Sequence, residues 1–127
     1  MVGANLDPSH LFWMGADPLQ AIPVLGDAIY HVHAKDTRIN PVLAGINGLF
    51  DITPPEQLSA RAWSYVTLGK GHDAVWWRQF CAALHAAGYT GVLSIEHEEP
   101  GVPATDGIRQ SAALLRSALN QGREASG

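Results

Sequence analysis

Three short apolar runs in this chain each stop at residues that can ligate a metal or carry a proton: ANLDPSH, IYHVHAKD and VLSIEHE. Between them lie segments with helical periodicity. Strands separated by helices form right-handed βαβ units, which put all strands parallel and all their C-terminal ends on one rim. Asp7, His10, His33 and Glu96 are thereby expected to converge on one site, with carboxylate oxygens and imidazole nitrogens suited to a divalent metal.

The element boundaries follow from local chemistry. Residues 2–7 read as the first strand, which Pro8 ends. Asp17-Pro18 reads as an N-cap followed by the first helical position, opening a helix over 17–25 that Gly26 closes. Residues 29–34 are apolar and β-branched enough for a strand buried on both faces. From about 38 to 65, Pro41, Gly45, Gly48, Pro54 and Pro55 punctuate the chain, and a long irregular loop is expected, with one helical turn near residues 55–61. Trp77, Phe80, Leu84 and Ala87 recur at helical spacing over 73–87, ahead of Gly88. Residues 91–97 form the third strand. A last helix over 106–120 aligns Ile108, Ala112, Leu115 and Leu119, and the tail QGREASG is expected to fray. The whole, residues 1–127, reads as a single α/β domain.

Composition limits the function classes. Hydrophobic residues make up 46% and charged residues 16%, which is globular composition. The net charge of −4 argues against binding nucleic acid through its phosphates. No apolar run reaches the roughly 20 residues that span a bilayer, and MVGANLDPSH lacks the basic start and apolar stretch of a signal peptide. The one cysteine, Cys81, permits no internal disulfide and fits a reducing cytoplasm; within an apolar helix it reads as an inert thiol.

Each motif has a bland reading beside the functional one. Asp7 and Ser9 could merely cap a turn at Pro8. Alternation puts His31 and His33 on one strand face, with His33 nearer the rim and His31 a packed neighbour. Lys35 is either a cation that orients substrate or the partner of Asp36. Glu96, at the end of a buried strand, needs a partner charge or a metal. Local salt bridges account for Glu98 and Glu99, and loop polarity for His97. LGKGHD lacks the spacing of a nucleotide loop, so Lys70 and His72 belong either to a lid over substrate or to a plain turn. Trp13 is either packed or substrate-facing.

Taken together and in this order, DPSHLFW, HVHAKDT, LGKGHD and LSIEHEEP resemble the C-terminal part of the xylose isomerase-like TIM-barrel family of sugar phosphate isomerases and epimerases, over residues 2 to about 118. The resemblance implies a partial (β/α)8 barrel of about three βα units. It implies a divalent metal (Mn, Mg, Co or Zn) held by Asp7, His33 and Glu96, with His10 touching substrate beside it and Arg38 near a substrate-binding arginine. Lys35 and Trp13 join that substrate set. The implied reaction moves a proton next to the carbonyl of a sugar, sugar acid or cyclitol ketone through an enediolate, with Glu96 as one acid/base. The family's first metal-binding Glu has no counterpart here. That departure favours an alternative: a non-catalytic, truncated remnant that keeps a metal-binding face or acts through association. A phosphodiester-cleaving relative would need a basic face, which the net charge disfavours. Three parallel strands leave two open edges, so a homodimer is expected; a solution mass equal to a single folded monomer would contradict it.

Overall fold

The structure, a computed structural model, describes residues 1–125. Strands β1 (Ala4–Leu6), β2 (Ile29–Ala34) and β5 (Leu93–Ile95) form a parallel sheet in the order β1-β2-β5. Leu6 pairs with Val32, and Ala34 with Ile95, so the three C-terminal strand ends lie side by side. The backbone extends this alignment one step, with the Glu96 amide donating to the Ala34 carbonyl at 3.2 Å.

Helices α2 (Pro18–Leu25), α4 (Ala74–Ala86) and α5 (Ala104–Ala125) follow the strands. Leu6, Ile29, Val32 and Ala34 of the sheet share one apolar core with Ile22, Trp77, Phe80, Leu84, Leu115 and Ala118 of these helices. Trp77 and Phe80 are fully enclosed. Cys81 is buried beside them, and burial pushes its thiol up to about 11, which keeps it protonated and unreactive at neutral pH.

Several expectations need correction. The first and third strands are shorter than 2–7 and 91–97. Pro8 does not only end β1: with Asp7 as N-cap it starts a six-residue helix, α1 (Pro8–Trp13). The segment 38–65 is not simply an irregular loop. The helical turn expected near 55–61 is there as a 3-10 turn (Leu58–Ala60), but the segment also holds α3 (Pro41–Asn47) and most of two antiparallel strands, β3 (Asp36–Ile39) and β4 (Trp63–Val66). Asn40 and Pro41, which read as loop breakers, are the N-cap and first residue of α3, where proline lacks nothing because its amide would be unpaired anyway. β3 carries no apolar alternation because its buried faces meet polar groups: Asp36 and Thr37 are fully buried, and the Thr37 hydroxyl donates to the Ser9 carbonyl at 2.9 Å. The last helix starts earlier than 106 and continues past 120 to Ala125; of the tail expected to fray, 126–127 lie outside the described residues.

Asp36 anchors the turn that leads into α4. Its Oδ1 accepts from the Thr37 amide at 2.9 Å and faces the His72 ring nitrogen Nδ1 at 2.8 Å. Its Oδ2 accepts from the amides of Gly69, Gly71 and His72 at 3.1, 3.1 and 3.0 Å. Gly69 has φ +94°, and a Cβ on Gly71 would strike the Thr37 carbonyl and the Asp36 carboxylate, so this close wrap needs both glycines. Asp36→Ala would leave four amides without that acceptor and is expected to cost about 3 kcal/mol or more. The check is a fall in the urea midpoint at unchanged m-value, with Asp36→Asn losing less because it keeps one acceptor oxygen.

Candidate metal centre at the strand ends

Asp7 sits at the junction of β1 and α1 and has two jobs. Its Oδ1 caps the helix, accepting from the Ser9 amide at 2.9 Å and the Ser9 hydroxyl at 2.7 Å. Its Oδ2 is buried and has no hydrogen-bond partner. Around that oxygen stand His10 Nε2 at 3.5 Å, Lys35 Nζ at 3.5 Å and His33 Nδ1 at 3.9 Å.

His33 comes from the end of β2, on the sheet face opposite Val32 and Ala34, with the ring of His31 edge-on behind it at 5.2 Å. Its Nδ1 also lies 3.3 Å from Glu96 Oε1. Glu96 follows β5 directly. One ligand atom each from Asp7, His33 and Glu96 falls within a 4.8 Å span, close enough to share one ion.

Lys35 closes the cluster from below. Only 3% exposed, its ammonium donates to Glu96 Oε2 at 2.8 Å and Glu98 Oε1 at 3.1 Å, and lies 4.5 Å from the centre of the Tyr65 ring. Burial pulls its pKa down, yet the bonds to Glu96 and Glu98 and the charge of Asp7 outweigh this, and the net shift is upward. It is a fixed cation. In return the Lys35 hydrogen bond holds the Glu96 carboxyl below the usual glutamate range, against a smaller desolvation effect.

Charge supports a metal here. Three carboxylates (Asp7, Glu96 and Glu98) face one ammonium and two histidines, so with neutral imidazoles two negative charges stay uncompensated. A divalent cation matches them, and the orphaned Asp7 Oδ2 is the atom such an ion would satisfy. Mixed oxygen and nitrogen donors with three protein ligands also leave coordination positions for a substrate.

The remaining candidates take varied positions around the cluster. Lys35 does not pair with Asp36, whose carboxylate is taken by the 69–72 turn and the His72 ring. Arg38 stays outside the cluster: it is exposed on β3 opposite Ser64, beside a separate cavity. His72 is no loose lid residue, since its ring stacks on Phe12 at 3.6 Å. Lys70 is bound to Glu99 at 3.0 Å. His97 is packed against Gly107 and bonded to the Val102 carbonyl at 3.0 Å. Trp13 is stacked on Trp63 at 5.1 Å and edge-on to His10 at 6.1 Å.

Two residues join the site without a clear sequence signal. Tyr65, inside the expected loop, reaches His10 Nδ1 with its hydroxyl at 3.2 Å, and burial raises its pKa so that it stays a phenol. Glu98 shares Lys35 with Glu96.

Fold and rim together define an α/β protein with a strand-end site of barrel type. Residues 1–118 match the model of the xylose isomerase-like TIM barrel, and the chain belongs to that family. It is 46% identical over 121 residues to the uncharacterized protein YfiH of Bacillus subtilis (strain 168), a match covering 95% of this chain and 39% of that protein. A xylose isomerase domain protein from Planctomyces limnophilus has the same fold: its crystal structure matches with a TM-score of 0.67 at 22% identity, over 96% of this chain and 37% of that one. The chain thus spans under two fifths of the length of these relatives. No helix among the described residues is long and apolar enough to cross a membrane.

The lowered pKa of Glu96 carries a pH signature. Its contribution to stability is present at neutral pH and is lost as pH falls below the ordinary glutamate value and through the depressed one. Lys35→Met removes the main cause, so the Glu96 carboxyl is expected to titrate at clearly higher pH in that variant. Carboxyl carbon chemical shifts followed by NMR provide the check; an unmoved Glu96 titration would contradict the assignment of Lys35 as its partner.

Proposed function

We propose that this chain contributes a divalent-metal site and part of the substrate site of an isomerase or epimerase acting on a sugar, sugar acid or cyclitol-derived ketone. The observation that carries the reading is the buried, partnerless Asp7 Oδ2, with ligand atoms of His33 and Glu96 close by and two negative charges unbalanced. Asp7, His33 and Glu96 would hold the metal. When bound, it would supply Lewis-acid polarisation of a substrate carbonyl.

The chain's own residues would do the rest. Glu96 stays ionised at neutral pH and is exposed by about a third on its side chain, so it can reach a substrate and accept a proton from carbon. Lys35 holds Glu96 in place through Oε2, leaving Oε1 beside His33 Nδ1. His10, 45% exposed and oriented by the Tyr65 hydroxyl, can hydrogen-bond a substrate oxygen next to the metal position. Trp13 and Trp63 make an aromatic wall on the His10 side, a surface that suits the C–H faces of a sugar ring.

The outer edges of β1 and β5 have no strand partner among the described residues. Further strands would pair there, and a second copy of the chain is the partner we propose for the isolated polypeptide.

Calorimetric titration with Mn2+, Co2+ and Zn2+ tests the site. Binding of at least one ion is expected at a single site, weakened at least tenfold by Asp7→Asn and by Glu96→Gln. The second measurement is exchange of substrate protons with deuterated solvent in the presence of the protein. Metal binding without exchange supports a non-catalytic metal-binding domain, whereas no metal binding removes the proposal.

A further inference from the structure

The β3–β4 ribbon borders a cavity of about 310 Å3 that lies apart from the carboxylate cluster. It is lined by Arg38, Asn40, Ser59, Arg61, Trp63 and Ser64, together with Leu58. The lining holds two guanidinium groups, two hydroxyls and one amide, and no carboxylate. In a chain with a net charge of −4, such a one-signed pocket is out of character.

The lining is built, with its main side chains fixed from behind. Arg61 is 8% exposed, and its guanidinium is braced by the Trp63 carbonyl at 3.0 Å, by the Thr53 carbonyl and by the Trp63 ring, 4.7 Å from its centre. Those contacts use Nε and Nη1 and leave the Nη2 edge without a hydrogen bond among the described residues. Asp51, which feels the Arg61 charge, does not line the cavity, and its oxygens accept from the amides of Thr53 at 2.8 Å and Ala62 at 2.6 Å. Ser64 is 7% exposed and sits opposite Arg38 in the antiparallel ladder, so hydroxyl and guanidinium share one face. Asn40 commits its Oδ1 to the Val42 and Leu43 amides at 3.1 Å each, which leaves its NH2 as the group available to a ligand. Arg38 has no ion-pair partner among the described residues.

We propose that this cavity is an anion-binding site for the carboxylate or phosphate monoester of a small metabolite. Planar guanidinium forks and hydroxyl donors match the oxygens of both groups, and the volume admits such a group with a few carbons attached. Trp63 lines the cavity and also stacks on Trp13, the indole beside His10, so the pocket continues the aromatic wall of the metal centre. The inference does not depend on a metal at that centre.

The test is isothermal titration of the EDTA-treated protein with inorganic phosphate and, separately, with malonate, in a low-chloride buffer. Saturable binding of one or both is expected, with the tighter anion identifying the ligand class. Arg38→Gln, at an exposed position where folding should not suffer, is expected to weaken that binding about tenfold or more, and Arg38→Lys by less. No saturable binding of either anion, or equal binding by Arg38→Gln, would overturn the proposal; the second result would place the anion elsewhere, such as at Lys35.

Discussion

A single buried ammonium organises this molecule. Lys35 stands where three parallel strands end, and a cation so enclosed costs several kcal/mol unless negative groups surround it. Asp7 from β1, Glu96 beyond β5 and Glu98 two residues further supply them. The lysine therefore ties the loop ends of all three strands to one point. It also overfills that point with acid, because three carboxylates converge to neutralise one ammonium. The excess charge is what turns a structural cross-brace into a candidate metal centre.

Asp7 shows how one residue can serve both purposes. Its first oxygen fixes the start of α1, which carries His10 to the site and Phe12 onto the His72 ring. Its second oxygen is thereby aimed at the cluster with nothing to bond. A second carboxylate, Asp36, does comparable work behind the site by gathering the 69–72 turn through three of its amides and the His72 ring. Phe12 stacks on His72, so α1 is held from both directions. The candidate ligands stand on a support that is itself hydrogen-bonded, which is what a preorganised site requires.

The strand ends were legible in the sequence because apolar runs that stop at Asp, His and Glu have few structural explanations, and parallel topology puts such ends together. The helices α4 and α5 were legible through their apolar period. What stayed hidden was polar structure. β3 has buried Asp36 and Thr37 in place of alternating apolar residues, and a pattern rule keyed to hydrophobicity passes over it. Pro41 looked like a breaker, although with Asn40 as cap it opens a helix. Missing β3 and β4 meant missing Tyr65 and the ladder that sets Arg38 opposite Ser64, outside the carboxylate cluster. Likewise Lys35 and Asp36 are neighbours in sequence, but Lys35 lies between β2 and β3 and turns to Glu96 and Glu98 while Asp36 turns to the 69–72 amides.

The most direct test of the account is the position of a bound ion. Crystals of the protein grown with Mn2+ should show an anomalous peak between Asp7 Oδ2, His33 and Glu96, with Lys35 still bonded to the other oxygen of Glu96. A peak at another place, or none at saturating Mn2+ with the carboxylates held by Lys35 alone, would mean that the cluster is only the brace.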